Sequence, residues 1–264
     1  MPEIRHRENG AVLFSSDAAN FRGQSFRSLH LDYADLAGAD LRGCDLRGTT
    51  LSNSDCSGAN FEGCTMNAVE FCAANLTGAN LRRAVLTDSR ILATQLVGAD
   101  LRSARLEHGI YQWSNFAGTK LVEANLRGGD FNRAAFPEAD LTGVDARDAR
   151  FDFANLRAAR LEFAMLAGAR FTAADLRDAR LCQADFTLAS LIRTQLAGAD
   201  FTRAMFSGTQ LAGLAGLAEA IGLDTIEHHR VSFIDLETLR AGARKLPKEF
   251  LLAAGVREEE LAAH

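Results

Sequence analysis

From Phe21 to Leu211 every fifth residue is large and apolar, through 39 consecutive slots with one exception. Twenty-two of these are Leu and 12 are Phe; the others are Cys56, Met66, Ile91, Tyr111 and Ala146, and Ala146 is the exception. Two residues before each slot stands a small residue, most often Ala, with only Gln24 and Leu29 departing. A period of five fits neither an amphipathic helix, which repeats near 3.6, nor a half-buried strand, which repeats at two. A strict short period sustained over about 195 residues marks a solenoid, in which each repeat packs mainly on its neighbours. Each unit supplies a large residue to fill the axis and a small one that lets the chain turn a corner. Gly often follows two residues after the centre, as at Gly38, Gly43, Gly58, Gly63 and Gly78, which fits a turn at the end of each unit.

Four units read Ala39-Asp40-Leu41-Arg42-Gly43, Ala59-Asn60-Phe61-Glu62-Gly63, Ala79-Asn80-Leu81-Arg82-Arg83 and Ala99-Asp100-Leu101-Arg102-Ser103. These strings resemble the pentapeptide-repeat family, whose motif is A(D/N)LXX, and the resemblance covers residues 19–213. It implies an all-β solenoid: a right-handed quadrilateral β-helix with four units per coil. The period alone does not give the number four. With it, 39 slots make about ten coils, and at about 4.8 Å per coil the rod is roughly 45 Å long. The expected organisation is an N-terminal cap over 1–18, the β-helix over 19–213 and a C-terminal helical cap or linker over 214–264.

The ends carry their own signals. A β-solenoid must blunt its open ends against stacking. Glu3-Ile4-Arg5-His6-Arg7 and Ala11-Val12-Leu13-Phe14 flank Glu8-Asn9-Gly10, and Asn-Gly between two such runs predicts a β-hairpin over residues 3–15. After Leu211 the five-fold pattern decays. Leu214 to Ile221 reads as a helical run, Ile234 to Arg240 as a helix capped by Asp235 or Ser232, and Lys248 to Ala254 as a helix opened by Pro247 and closed by Gly255. Arg257 to Leu261 begins a third. The strings Gly222-Leu223-Asp224, Ser232-Phe233-Ile234-Asp235, Leu246-Pro247-Lys248-Glu249-Phe250-Leu251 and Gly255-Val256 resemble a linker of bacterial pentapeptide-repeat proteins that a TIR domain often follows. That resemblance implies a stand-alone relative or the sensing half of a larger protein. No TIR catalytic residue stands in this sequence, so no NAD-cleaving activity is carried over.

Composition narrows the function classes. No stretch approaches 18 apolar residues, so no membrane partner is expected, and the N-terminus is too polar for a secretory signal. The five cysteines fall at repeat positions rather than metal-ligand spacing. Cys44 and Cys64, 20 apart, stack one coil apart in small inward slots in the family geometry. The expectation is a reduced core role in the cytoplasm. His228 and His229 have no Cys or His at ligand spacing. Asp40, Asn60, Asn80 and Asp100 precede central residues as part of the repeat; facing solvent or bonding nearby backbone is the expected role, rather than acid–base catalysis or calcium binding. No phosphate loop, nucleophile elbow or dinucleotide fingerprint is present, so neither an enzyme nor a cofactor is expected.

Any function then belongs to outward slots. Sorting units by four gives faces with net charges of +2 for the Phe21 series, −1 for Phe26, +1 for Leu31 and −3 for Leu36. The rod is nearly neutral, and no basic run marks direct nucleic-acid binding. The Leu31 face holds Leu92, Ile110, Trp113, Phe153 and Ile192 outward, with Arg133 between Trp113 and Phe153 in one column; Trp113 is the only Trp. Coils about 4.8 Å apart place Trp113, Arg133 and Phe153 for cation–π stacking. Large aromatics beside Arg are residue types that anchor interfaces; scattered surface apolars, or a surface covered by the C-terminal helices, are the plainer readings.

The first functional reading is therefore a non-enzymatic interaction and scaffold module, a rod presenting one face to a protein, with the C-terminal helices serving docking or a homodimer. The alternative, taken from the family resemblance, is a DNA mimic that binds a type II topoisomerase, DNA gyrase or topoisomerase IV, and protects it from poisons. A DNA mimic asks for a broadly acidic surface, and a rod at −1 argues against it.

Overall fold

The computed structural model describes residues 1–242 and 245–261; positions 243–244 and 262–264 of the expected C-terminal segment lie outside the described residues. Each five-residue unit supplies one tight turn and one paired residue, and the pairing is parallel with a step of twenty. Ser25 pairs with Asp45, Asp45 with Thr65, Asp100 with Lys120 and Asp175 with Gln195. Four units therefore close one coil.

The unit 99–103 shows how five residues satisfy their own backbone, a requirement for buried chain. Ala99 N–H closes the turn on Leu96 O at 2.9 Å. Asp100 N–H reaches down one coil to Ala79 O at 2.9 Å, while Leu101 and Ser103 N–H reach up to Lys120 O (2.7 Å) and Val122 O (3.0 Å). The fifth donor, Arg102 N–H, goes to the Asp100 carboxylate at 3.2 Å. Asn60 and Asn80 accept the same bond from Glu62 and Arg82, each at 3.1 Å, and Asp40 accepts it from Arg42 at 3.4 Å. The recurring Asp or Asn thus completes the unit by taking the donor that the coils leave over.

Every central residue from Phe26 to Leu211 is buried, Ala146 included. Rings line one flank: Tyr111, Phe131, Phe151 and Phe171 form a stacked column with centroids 4.7, 5.2 and 5.3 Å apart. Large centres are matched by smaller corners. A Cβ at Gly109 would lie 2.5 Å from the Tyr111 hydroxyl, and one at Gly129 would lie 2.7 Å from Phe131 Cε2. Conversely Val144, larger than the usual Ala, stands two residues before Ala146. Small polar residues in these corner slots donate back to the coil below: Thr49 to Phe26 O at 2.8 Å, Ser54 to Leu31 O at 3.1 Å, and Thr194 to Phe171 O at 2.8 Å. Cys44 and Cys64 do the same, to Phe21 O and Leu41 O at 2.8 and 2.9 Å, so their stacked inward placement is seen directly.

At the N-terminus β1 (Glu3–His6) and β2 (Val12–Ser15) form the antiparallel hairpin. Its loop spans residues 7–11, with Gly10 at φ 72° and a bulge after Ile4. β1 also pairs, antiparallel, with β3 (Ala34–Asp35), and Phe14 meets Phe26 edge-on at 4.9 Å.

The C-terminal part differs from the sequence reading. Leu214 to Ile221 is no α-helix. Ala215 still pairs with Gln195 and Ile221 with Asp200, and only Leu217–Glu219 makes a short 3-10 turn. Gly216 breaks the helix at φ 75°, where a Cβ would lie 2.7 Å from Ala197 N. The ladder runs on through β4 (Ser190–Ile192), β5 (Met205–Ser207), β6 (Gln210–Ala212), β7 (Glu227–Arg230) and β8 (Phe233–Ile234), with β4, β6 and β8 in one sheet and β5 with β7 in another. The step grows as it goes, from Gln195–Ala215 to Asp200–Ile221 to Gln210–Phe233. Residues past Gly213 thus wind another, oversized coil whose inserted residues erase the five-fold pattern.

Among the described residues three short helices follow: α1 (Leu236–Gly242), α2 (Lys248–Ala253) and α3 (Glu258–Leu261). Asp235, not Ser232, caps α1, its Oδ1 accepting Thr238 N–H at 2.9 Å while Oδ2 takes Gly213 N–H at 3.0 Å. Gly255, at φ 85°, follows α2. Phe250 of α2 is buried against the imidazole of His228 in β7, which meets Phe206 on its other side, at 5.9 and 6.1 Å.

Candidate interaction surface

The fifth residue of each unit sits at a corner, two positions past the centre, with its backbone in the left-handed region. Gly is the residue suited to it, and at Gly38, Gly58, Gly78, Gly98 and Gly118 a Cβ would meet nothing within 4 Å. Between the Leu31 and Leu36 faces, however, the corner column carries Trp113, Arg133 and Phe153 at φ 63°, 59° and 59°. Side chains other than Gly hold this conformation all along the rod, from Ser28 to Arg203, each at a cost of about 1 kcal/mol or more. Trp113 is 59% exposed and Phe153 52%. The Arg133 guanidinium carbon lies 4.6 Å from the Trp113 ring centroid and 5.1 Å from that of Phe153. The stack expected from twenty-residue spacing is therefore formed, with a cation held between two rings.

The other named residues divide. Ile110, 37% exposed, is paired across coils with Arg90 and Asp130. Leu92 is half-buried one coil before Gln112, the neighbour of Trp113. Ile192 is not part of this cluster. It lies in β4, four coils along its column from Gln112, and lines a groove with Gln210, Ala212, Phe233 and Ile234. The C-terminal segment extends the Leu31 face there through β8 rather than folding over the Trp113 corner.

Charges flanking the stack are locally balanced. Asp152, with its side chain almost buried, lies 3.6 Å from Arg150 and 3.4 Å from Arg170 and accepts Thr172 N–H at 3.1 Å. Arg150 also reaches Asp130 at 3.7 Å, and Asp130 accepts Gln112 Nε2 at 2.8 Å. Among the described residues Arg133 has no carboxylate partner within ion-pair distance.

Elsewhere several carboxylates are lowered by arginines and several buried hydroxyl or thiol groups are raised. Hydrogen bonding to Arg47 lowers Asp45 to about 2, and the Arg102, Arg147 and Arg177 side chains lower Asp100, Asp145 and Asp175. Burial pushes Cys56 and Tyr111 up, and Cys182 up to about 11. Among the described residues no group of three or more His, Cys, Asp or Glu is placed to hold a metal ion, and no helix is long and apolar enough to cross a membrane. Sequence reasoning passed over further exposed corner residues, Phe163 and Leu188; the same rule of two past the centre names both.

Compared with known families, residues 17–43, 30–67, 66–102, 112–145, 149–187 and 183–213 match the pentapeptide repeats, in 8 copies. The chain belongs to the pentapeptide-repeat family. Pentapeptide-repeat proteins fold as right-handed quadrilateral β-helices, the architecture of the twenty-residue ladder. Among solved pentapeptide-repeat structures, HetL, involved in heterocyst differentiation regulation in the cyanobacterium Nostoc sp. strain PCC 7120, is 27% identical, with 83% of this chain and 92% of that one covered and a TM-score of 0.49. QnrB1, a plasmid-mediated fluoroquinolone resistance protein, is 16% identical over 74% of this chain and 88% of that one, with a TM-score of 0.48. No curated protein sequence matches this pentapeptide-repeat protein.

Proposed function

We propose that this chain is a non-enzymatic interaction module, a stiff rod of about ten coils that presents the Trp113 corner to a protein partner in a reducing cytoplasm. The observation that supports this reading is the Trp113–Arg133–Phe153 stack, exposed at a corner where Gly would be less strained. Leu92 and Ile110 widen the apolar patch, and Arg and Trp are the side chains that most often dominate binding energy. The repeat carboxylates Asp40, Asp100, Asp140 and Asp175 accept backbone donors, which supports a structural role for them. Cross-linking in cell extract, comparing the wild type with Trp113→Ala/Phe153→Ala, tests the reading: a partner band lost in the double variant is expected, and an unchanged pattern refutes it.

The topoisomerase alternative stays second, because the outward charge of the rod sums to −1 and a duplex mimic needs many more anionic positions. A gyrase supercoiling assay with a quinolone, showing inhibition or protection by the protein, would reverse that order. For the homodimer, the supporting observation is at the far end, where Val231, Phe233 and Leu236 are exposed around the last strand of the ladder. A monomer mass by light scattering removes that part of the proposal.

A further inference from the structure

A second apolar patch stands on the rod, away from the Trp113 corner. Between residues 34 and 220 the exposed large apolar side chains, Val97 apart, fall into two groups: Ile110, Trp113 and Phe153 at the corner already described, and Phe163, Met165 and Leu188 around the Phe26 face. Phe163 stands at one corner of that face and Leu188 at the other, one coil further along. Between them the column just before the centres runs Met165, Asp185, Met205 on three successive coils, each paired with the next in the ladder. Met165 is exposed, while Asp185 and Met205 are half-buried. The face is a trough, with Phe163 and Leu188 as its walls.

The trough repeats the pattern of the corner with the sign of the charge reversed. The corner column reads ring, cation, ring, in Trp113, Arg133 and Phe153. The trough column reads thioether, carboxylate, thioether. Both advance one residue per coil of the same ladder, so they share one pitch, about 4.8 Å, with the charge in the middle of each. Neither charge is answered within the chain. Among the described residues the Arg133 side chain makes no ion pair and no hydrogen bond, and its two contacts are the rings. Asp185 accepts Thr187 N–H through Oδ1 at 2.8 Å and makes no ion pair among the described residues. Other acids of that face are neutralised in place, Asp45 by Arg47, Glu107 by Arg105 and Asp145 by Arg147. Arg147 also feels the charge of Asp185, but its fork is held by Asp145 at 2.8 and 2.5 Å.

Resting on the interaction reading above, which makes the Trp113 corner a protein-binding ridge, we propose that its occupant is the trough of a second copy of this chain. Laid alongside, the second rod sets Asp185 opposite Arg133, where the carboxylate takes the free fork in a charge-assisted pair. Its Met165 and Met205 then lie opposite the two rings, where thioether and aromatic make favourable contact. Because the columns share a pitch and are symmetric about the charge, the match holds for rods running parallel or antiparallel. A slip of one coil sets each charge against an apolar side chain, so the register is specified. Ridge and trough are different surfaces, which makes the contact heterologous. The ridge lies where the Leu31 and Leu36 faces meet, a corner that the Phe26 face does not adjoin, so one neighbour cannot fill both. Each added rod leaves a ridge or a trough open, and growth runs side by side rather than stopping at a pair.

Light scattering from the full chain over a dilution series tests this. The weight-average mass is expected to rise with concentration past that of a dimer. Arg133→Glu and Asp185→Arg, both reversals at surface positions, should each abolish the growth, because ridge and trough then carry like charge. An equimolar mixture of the two variants should recover it, since the altered ridge of one meets the altered trough of the other. A mass that stays at monomer, a plateau at the dimer that both variants keep, growth that survives either reversal, or a mixture that stays inert overturns the proposal. If self-association fails while the cross-linked partner still depends on Trp113 and Phe153, the second-copy assignment falls and the interaction reading stands. If the corner matters in neither assay, both fall.

Discussion

Gly129→Ala makes the sharpest test of how this core is built. Ala is the commonest residue at that slot in the repeat, and Gly129 lies outside the left-handed corner positions, so its backbone admits Ala. Consensus reasoning therefore predicts stabilisation of about 0.4–1 kcal/mol, from the lower entropy of the unfolded chain. The structure predicts the opposite sign. A Cβ at Gly129 would lie 2.7 Å from Phe131 Cε2, 3.2 Å from Phe131 Cζ and 3.0 Å from Leu126 O. Phe131 has nowhere to retreat, because it is stacked between Tyr111 and Phe151 and edged by Phe116 and Phe136. Leu126 O is fixed by the turn bond from Gly129 N–H at 3.0 Å. Overpacking of this kind costs about 1–3 kcal/mol, so the expected net loss is about 1–2 kcal/mol after the entropic gain. Guanidinium unfolding followed by far-UV circular dichroism should show a lower midpoint with an unchanged slope. Phe131→Leu, the consensus choice at the centre, should by itself cost about 2 kcal/mol or more for its four lost ring contacts. In that background Gly129→Ala should become neutral or stabilising, a coupling of about 2 kcal/mol in a double-mutant cycle. A neutral or stabilising Gly129→Ala in the wild-type chain, or the same effect in both backgrounds, would refute the idea that corner and centre trade volume.

Three further outcomes are expected. Arg133→Ala should shift the emission of Trp113, the sole Trp, while changing stability by no more than about 1 kcal/mol, the usual size of an exposed cation–π contact. Asp235→Ala should cost about 1 kcal/mol through loss of the α1 cap and should raise amide exchange in the helix and at Gly213 before the rest of the rod. His228 lies between Phe206 and Phe250 with both ring nitrogens buried and lacking a partner among the described residues, and burial lowers its pKa. The unfolded chain therefore binds the proton more readily, so the stability of the tail should be full above about pH 6.5 and fall as the pH drops from there through the lowered folded value. His228→Phe should flatten that part of the profile in hydrogen exchange of α2, and a slope that survives the substitution would rule His228 out.

The fold was legible because a period of five over so long a run leaves few architectures open. What the period could not supply was closure: five residues define a corner and a side, but the number of sides depends on turn geometry, which the resemblance provided and the twenty-residue pairing displays. The stack at Trp113, Arg133 and Phe153 was readable because positions twenty apart become neighbours once that number is known. Ile192 shares their face but stands four coils from Gln112, a difference in height that membership of a face does not convey. The misread segment was Leu214 to Ile221, where Ala and Leu suggest a helix. There the ladder continues with extra residues at the corners, and insertions hide a solenoid from any fixed-period reading. Tyr111 and Phe131 looked like ordinary fillers of the repeat; the glycines that make room for them were visible in sequence, but their purpose depends on which ring leans over which corner.

The left-handed corners have a consequence for how such a chain can change over time. A side chain added at Gly38, Gly58 or Gly78 would point into open space, while the centres of the same coils, Leu36, Cys56 and Leu76, are buried. Selection can therefore rewrite an edge one letter at a time, paying a small and nearly constant conformational toll per letter, without renegotiating anything inside. Each edge is a line of text with a fixed pitch of one character per coil. On one of them, Trp113, Arg133 and Phe153 stand on three successive coils.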